Sequence, residues 1–168
     1  EVVELASVTD HRQNRDEGGQ VWFSRSDAEA HHRVDALWQS ETRNRASAPL
    51  SLDIKGRKVE IPHYVDRIGR ASFWELCSRP LGPGDYLAIA EALDLLFIDA
   101  IPRLSQSNYN EAKRFVTLID ALYEAKVRLI ASAADEPERL YAEGEGAFEF
   151  ERTASRLREM RDADWGRG

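Results

Sequence analysis

Two arginines and one aspartate have the type and spacing to do chemistry. Arg152 and Arg156 stand four apart, off the apolar stripe of a helix read over residues 148–160. A guanidinium held on a rigid helix can reach a γ-phosphate, in its own subunit or a neighbour's. There it stabilises transition-state charge, a contact worth ~10³–10⁵ in rate. The plain alternative is a surface salt bridge with Glu149 or Glu159. Asp99 closes the apolar run Leu95-Leu96-Phe97-Ile98. That is the local pattern of a Walker B strand, whose carboxylate holds Mg²⁺ near phosphates. Ala100 follows, where an ATPase often has its water-activating glutamate, and the plain alternative is a strand end that caps the turn before Pro102. A phosphate cradle of the form Gly-x-x-x-x-Gly-Lys-Ser/Thr does not occur in the 168 residues. Gly82-Pro83-Gly84 is followed by Asp85 and Gly144-Glu145-Gly146 by Ala147, so neither loop offers the lysine or the magnesium-binding hydroxyl. These residues alone are therefore expected to bind no cofactor and to hydrolyse no nucleoside triphosphate.

The other reactive side chains point to packing. His31 and His32 are neighbours on a predicted helix, so they diverge by roughly 100° and do not chelate. His11 and His63 have no partners at metal spacing. Cys77 is the single cysteine and lies beside apolar residues, which reads as a small core residue rather than a nucleophile. One cysteine forms no internal disulfide, which suits a reducing compartment.

The elements that position these residues follow from periodicity. Residues 94–99 and 127–133 read as buried strands. Between them, residues 110–124 form an amphipathic helix with Ala112, Phe115, Val116, Ile119, Leu122 and Tyr123 on one face. Strand, crossover helix and strand make a βαβ unit, which implies an α/β fold with a parallel sheet. Upstream, residues 2–8 read as a strand and residues 10–25 as a polar stretch with a turn at Gly18-Gly19. A helix then starts at a Ser26 or Asp27 cap and carries Ala30, Val34, Leu37 and Trp38. Alternation over 50–54 and 59–61, with Lys55-Gly56-Arg57-Lys58 between, predicts a β-hairpin that Pro62 ends. Ser72-Phe73-Trp74-Glu75 is a capping box. Asp85 is expected to cap a helix running to about residue 93. Residues 135–137 start a short helical turn that ends near 141. The last helix buries Phe150, Ala154, Leu157 and Met160 and leaves Arg152, Arg156 and Glu159 on a separate stripe.

Composition narrows the class. The net charge of −7 argues against a general nucleic-acid binder, which needs a basic surface. No apolar run approaches the ~18–20 residues of a membrane helix, so no stable membrane insertion is expected. No signal or transit peptide is visible, and the reading is cytoplasmic. The chain opens on Glu1 with a strand-like segment, which reads as a start inside a longer protein.

Ser72-Phe73-Trp74-Glu75-Leu76-Cys77, Arg79-Pro80-Leu81-Gly82 and Asp85-Tyr86-Leu87 form a block that resembles the ZapE-type, or AFG1-like, ATPases. These are bacterial cell-division ATPases and their mitochondrial relatives. The similarity continues through Phe97-Ile98-Asp99, Ile101-Pro102-Arg103-Leu104, Arg114-Phe115 and Ile119-Asp120-Ala121-Leu122-Tyr123. It ends with Phe148, Phe150, Arg152-Thr153, Ser155-Arg156-Leu157 and Glu159-Met160. Asp10-His11-Arg12 is similar to an upstream Asp-Tyr-Arg of the family, with His11 in place of tyrosine, and the hairpin with Gly56-Arg57 has its counterpart there. The resemblance implies a P-loop, AAA+-related three-layer fold with parallel strands and a β-hairpin insertion. It implies that the chain is the C-terminal part of one such domain, with Walker A, Walker B and the first sensor lying before Glu1. Residues 1–69 would supply a strand, polar loop, helix and hairpin, and residues 70–168 the helices, the βαβ unit and the arginine helix. It also implies ATP and Mg²⁺ as cofactors of the parent protein and Arg152 or Arg156 as a nucleotide-sensing residue. The partner would be a protein, either of the division machinery or a quality-control substrate, and oligomer formation stays open. The rival reading is a nucleotide-independent protein-interaction domain without catalysis.

Overall fold

The computed structural model describes residues 19–25, 27–141, 144 and 146–166. The expected strand at 2–8, Gly18, Ser26 and the Asp10-His11-Arg12 segment lie outside the described residues. The elements in chain order are β1 (Trp22–Phe23), α1 (Ala28–Thr42), β2 (Ala48–Ile54), β3 (Arg57–Val65), β4 (Ile68–Ser72), α2 (Phe73–Cys77) and α3 (Pro83–Glu91). They continue with β5 (Leu95–Ile101), α4 (Tyr109–Glu124), β6 (Arg128–Ala133), α5 (Pro137–Leu140) and α6 (Ala147–Glu159). Among the described residues six strands join one sheet in the order β1-β6-β5-β4-β3-β2. β1, β6, β5 and β4 are parallel, and β3 and β2 extend the sheet antiparallel. The hairpin is thus continuous with the parallel sheet, and the boundary between residues 69 and 70 falls inside β4.

Alternation along β5 builds two cores from one strand. Leu96 and Ile98 face the larger core with α2, α3, α4 and α6, whereas Leu95 and Phe97 face a smaller one with α1. The result is three layers, helix on sheet on helix. The βαβ unit is present as its periodicity predicts, with β5 and β6 adjacent and parallel. On α4, Ala112, Phe115, Ile119 and Leu122 are buried, and Leu118 and Ala121 join them. On α1 the cap is Asp27, whose Oδ1 accepts from the Ala30 N–H at 3.0 Å. Ala30, Val34 and Trp38 are buried, as the helical spacing requires.

Four local readings differ from the structure. Pro62 does not end the hairpin, because β3 runs on to Val65. The register passes from Leu50↔Ile61 to Ala48↔Tyr64, so Pro62 and His63 together oppose Pro49. That bulge is a place where a strand tolerates a residue with no N–H. Arg57 and Lys58 belong to β3, and the turn is Lys55-Gly56 alone, with φ of 51° and 82°. Such a turn, with both residues left-handed, matches strand twist and favours glycine. Asp85 is not the cap residue of α3. Gly82 holds that position, and Asp85, three residues on, accepts from the Gly82 N–H at 2.8 Å. β4 and β1 have no counterpart among the strands that alternation predicts. β4 is Ile68-Gly69-Arg70-Ala71-Ser72, with almost no β-branched content. A Cβ at Gly69 would sit 3.0 Å from Leu93 Cδ2 and 3.2 Å from Ile61 Cγ2, so those side chains would have to give by a few tenths of an ångström.

Asp85 also takes Arg57 Nη2 on both oxygens, at 2.7 and 2.8 Å, which pins the hairpin turn to the start of α3. The Gly82 N–H bond first, then Arg57, holds the Asp85 carboxyl below its ordinary value of 3.8. A lowered carboxyl pKa stabilises the fold at higher pH. Asp85→Ala is expected to cost about 1–2 kcal/mol at neutral pH. The gap to wild type should begin to close below pH 3.8 and vanish as the folded-state carboxyl protonates, which urea titrations across pH will check. Leu122 is fully buried, so Leu122→Ala should cost ~2–5 kcal/mol in the same assay.

Candidate functional site

Asp99 does not end its strand. β5 continues to Ile101, and the register to β6 slips between Ile98 and Ile101. The extra residue is Ala100, at φ 59°, whose N–H donates to Ser132 Oγ at 2.9 Å. This bulge keeps Asp99 on the α1 face while Ile101 turns to the larger core. On the α1 face the carboxylate is already engaged. Arg70 of β4 donates to it through Nε at 2.7 Å and Nη2 at 3.0 Å, and reaches Asp35 of α1 at 2.8 Å. Its Cζ also stands 5.9 Å from the Trp38 ring and 6.0 Å from Phe97. Burial disfavours the charged guanidinium, but Asp99 and Asp35 more than offset this and raise the Arg70 pKa above its ordinary value. Asp99 is therefore half of a partly buried ion pair, and neither a turn cap nor a carboxylate open to Mg²⁺. Sequence spacing could not show this, because Arg70 lies on a strand that periodicity did not reveal.

Ligands of open parallel sheets sit outside the carboxyl ends of the strands, where connections leave to opposite faces. Here that point lies between β1, which leads to α1 on one face, and β6, which leads to α5 and α6 on the other. Asp135 is its hub. The Asp135 carbonyl accepts from Trp22 Nε1 at 3.0 Å. The carboxylate takes Arg103 Nη1 at 2.9 Å and Arg139 Nε at 3.1 Å. The Glu136 N–H bond, with both arginines behind it, lowers the Asp135 pKa. Leu104 N–H donates to Leu140 O at 2.9 Å, part of an isolated parallel bridge to Tyr141 outside the named strands. Two guanidiniums therefore share the one Asp135 carboxylate.

Arg152 and Arg156 come together at the other end of the sheet. α4 runs antiparallel to the strands, so Asp120 and Tyr123 lie near the strands' amino ends, beside Val127. Both arginines converge on Asp120, Arg156 through a short ion pair and Arg152 at 3.7 Å. The Arg156 Cζ stands 4.6 Å from the Tyr123 ring, and Tyr123 Oη donates to Glu159 at 2.9 Å. Tyr123 stacks on Trp165, whose Nε1 donates to Val127 O at 2.9 Å. The acidic partner is Asp120, not Glu149 or Glu159. Arg156 is largely enclosed, at 22% side-chain exposure, whereas Arg152 is open at 68%.

Cys77 is buried in the larger core, as a small core residue is, and burial pushes its thiol up to about 12. Among the described residues no group of three or more His, Cys, Asp or Glu side chains could hold a metal ion. No described helix is long and apolar enough to cross a membrane.

A three-layer α/β protein with a mostly parallel, six-stranded sheet is the class that fold and site define. The profile of the AFG1-like ATPases matches residues 1–167, and the chain belongs to that family. It is 35% identical over 144 residues to lactation elevated protein 1 homolog B of Danio rerio, covering 84% of this chain and 29% of that protein. It is 26% identical over 165 residues to the cell division protein ZapE of Escherichia coli K12, covering 98% of this chain and 44% of that protein. The chain thus spans less than half the length of these relatives. No solved structure matches it at comparable significance.

The Arg70–Asp99 pair can be tested by a cycle. Arg70→Leu leaves Asp99 without its cation, Asp99→Leu leaves Arg70 with Asp35 alone, and each should cost roughly 3–5 kcal/mol. Arg70→Leu with Asp99→Leu removes both charges and should recover part of that loss, read as a positive coupling energy in urea denaturation.

Proposed function

We propose that the chain is the C-terminal part of an ATPase that hydrolyses Mg-ATP and acts through the cycle on a protein partner. The observation that carries this is the family match along 1–167, set beside the chain's coverage of less than half of its curated relatives. The phosphate loop and metal ligands would then be supplied by the portion of the parent that precedes this α/β unit. ZapE is named a cell division protein, which supports partners in division, with protein quality control as the companion possibility.

Within this reading, Arg152 is the arginine available to sense nucleotide held outside this sheet. It is exposed and shares its carboxylate with a second cation. A specific observation favours another role for Arg156. Its contacts with Asp120 and Tyr123 clamp α6 to α4 beneath the Trp165 turn. The rival reading, a nucleotide-independent interaction domain, would leave both arginines without effect on turnover.

The 168-residue chain alone should show no ATPase turnover above a buffer blank. In the full-length parent, Arg152→Ala should lower kcat with little change in thermal midpoint. Arg156→Ala should lower the midpoint, by the cost of a partly buried ion pair. Steady-state kinetics beside differential scanning calorimetry will separate the two. Wild-type turnover in both variants would leave the interaction-domain reading standing.

A further inference from the structure

Among the described residues β2 is the terminal strand of the sheet, and no described strand pairs with its outer edge. The turn Lys55-Gly56 closes on the pair Ile54↔Arg57, so Ile54, Leu52 and Leu50 direct their backbone groups at β3. Ser51 and Asp53 therefore direct N–H and C=O outward, and no backbone group of the described residues meets them. On the core face, Leu50, Leu52 and Ile54 are only half-buried, although all three pack on the larger core. An added strand with apolar residues at alternate positions would complete their burial.

The sequence of β2 supplies that strand. We propose that two copies of this chain join β2 to β2 antiparallel about a two-fold axis at Leu52, making one sheet continuous across both. Three registers could use the outward groups. Centring on Asp53 sets two carboxylates opposite each other, and like charges across strands repel. Centring on Ser51 sets Asp53 against Pro49, which has no N–H to give. Centring on Leu52 sets each Ser51 against the second copy's Asp53. All four outward N–H groups and all four outward C=O groups of the two edges then find partners between them, in two doubly bonded pairs. It also sets Leu52 on Leu52 and Leu50 on Ile54, so both half-buried rows become one. Charge separation, amide satisfaction and apolar matching select the same register. The contact is a few residues long, which places it in the class of small, weak interfaces.

In this register Leu52 faces its copy as a non-hydrogen-bonded pair, with Cα atoms roughly 4.5 Å apart, inside the range a disulfide spans. The test is Leu52→Cys in the 168-residue chain under a mild oxidant, which takes up two electrons and two protons as the two thiols join. The lone native Cys77 is buried and contributes no background. A covalent dimer on non-reducing gels is expected for Leu52→Cys, and far less for Leu50→Cys, whose partner is Ile54. Analytical ultracentrifugation of the unmodified chain should show mass rising from 19.1 kDa with concentration. Leu52→Lys should abolish that rise while circular dichroism stays unchanged. A wild-type chain that remains a monomer at millimolar concentration overturns the proposal. So does a dimer indifferent to Leu52→Lys, or crosslinking equal at positions 50 and 52.

Discussion

Arg70 brings a positive charge into the middle of the sheet, at 8% exposure, and three elements are arranged around the need to neutralise it. A buried guanidinium cannot shed its proton, so the cost of desolvation has to be met by carboxylates at bonding distance. Asp99 does so from the adjacent strand and Asp35 from α1. Asp99 reaches the right face because the Ala100 bulge separates it from Ile101, which the larger core claims. Asp35 is in place because Val34 and Trp38 seat α1 on Leu95, Phe97 and Ile130. The ion pair and the smaller core therefore impose one position on α1, and neither could be moved without exposing the other.

Carboxylates do similar fastening elsewhere, each time joining segments distant in sequence. Asp85 ties the hairpin turn to the start of α3, and Asp135 gathers the ends of β1, β5 and α5. Asp120 holds α6 against α4. At Asp135 and Asp120 two guanidiniums share one carboxylate, so the acidic chain still presents cationic points at both ends of its sheet. One of these, Arg152, is open to solvent.

Legibility in the sequence followed the strength of local pattern. α4 carries an apolar face over four turns, and two short apolar runs flank it, so the βαβ unit could be read directly. The hairpin was readable from alternation around Lys55-Gly56, and α2 from the reciprocal Ser72 and Glu75 bonds. β4 has no such pattern. Its glycine and arginine read as loop residues, yet the first sits close under Leu93 and Ile61, and the second is matched by carboxylates on two other elements. β1 spans two residues, too short for any period to register. Pro62 read as a terminator because the bulge that accommodates it exists only between paired strands.

The sequence by itself determined what depends on neighbours in the chain. It determined the α/β class, the long helices and their buried faces, the tight turn at Gly56, and the absence of a phosphate loop. Tertiary structure alone decided which charges meet. Asp99 reads as either a strand-end cap or a metal ligand until Arg70, 29 residues away, is placed against both its oxygens. Arg152 and Arg156 looked equivalent until Asp120 and Tyr123 enclosed one and left the other open. The reason is that local pattern reports the solvent-or-core preference of each side chain. The partner of a charge is set by how separate elements dock, and no spacing along one element records that.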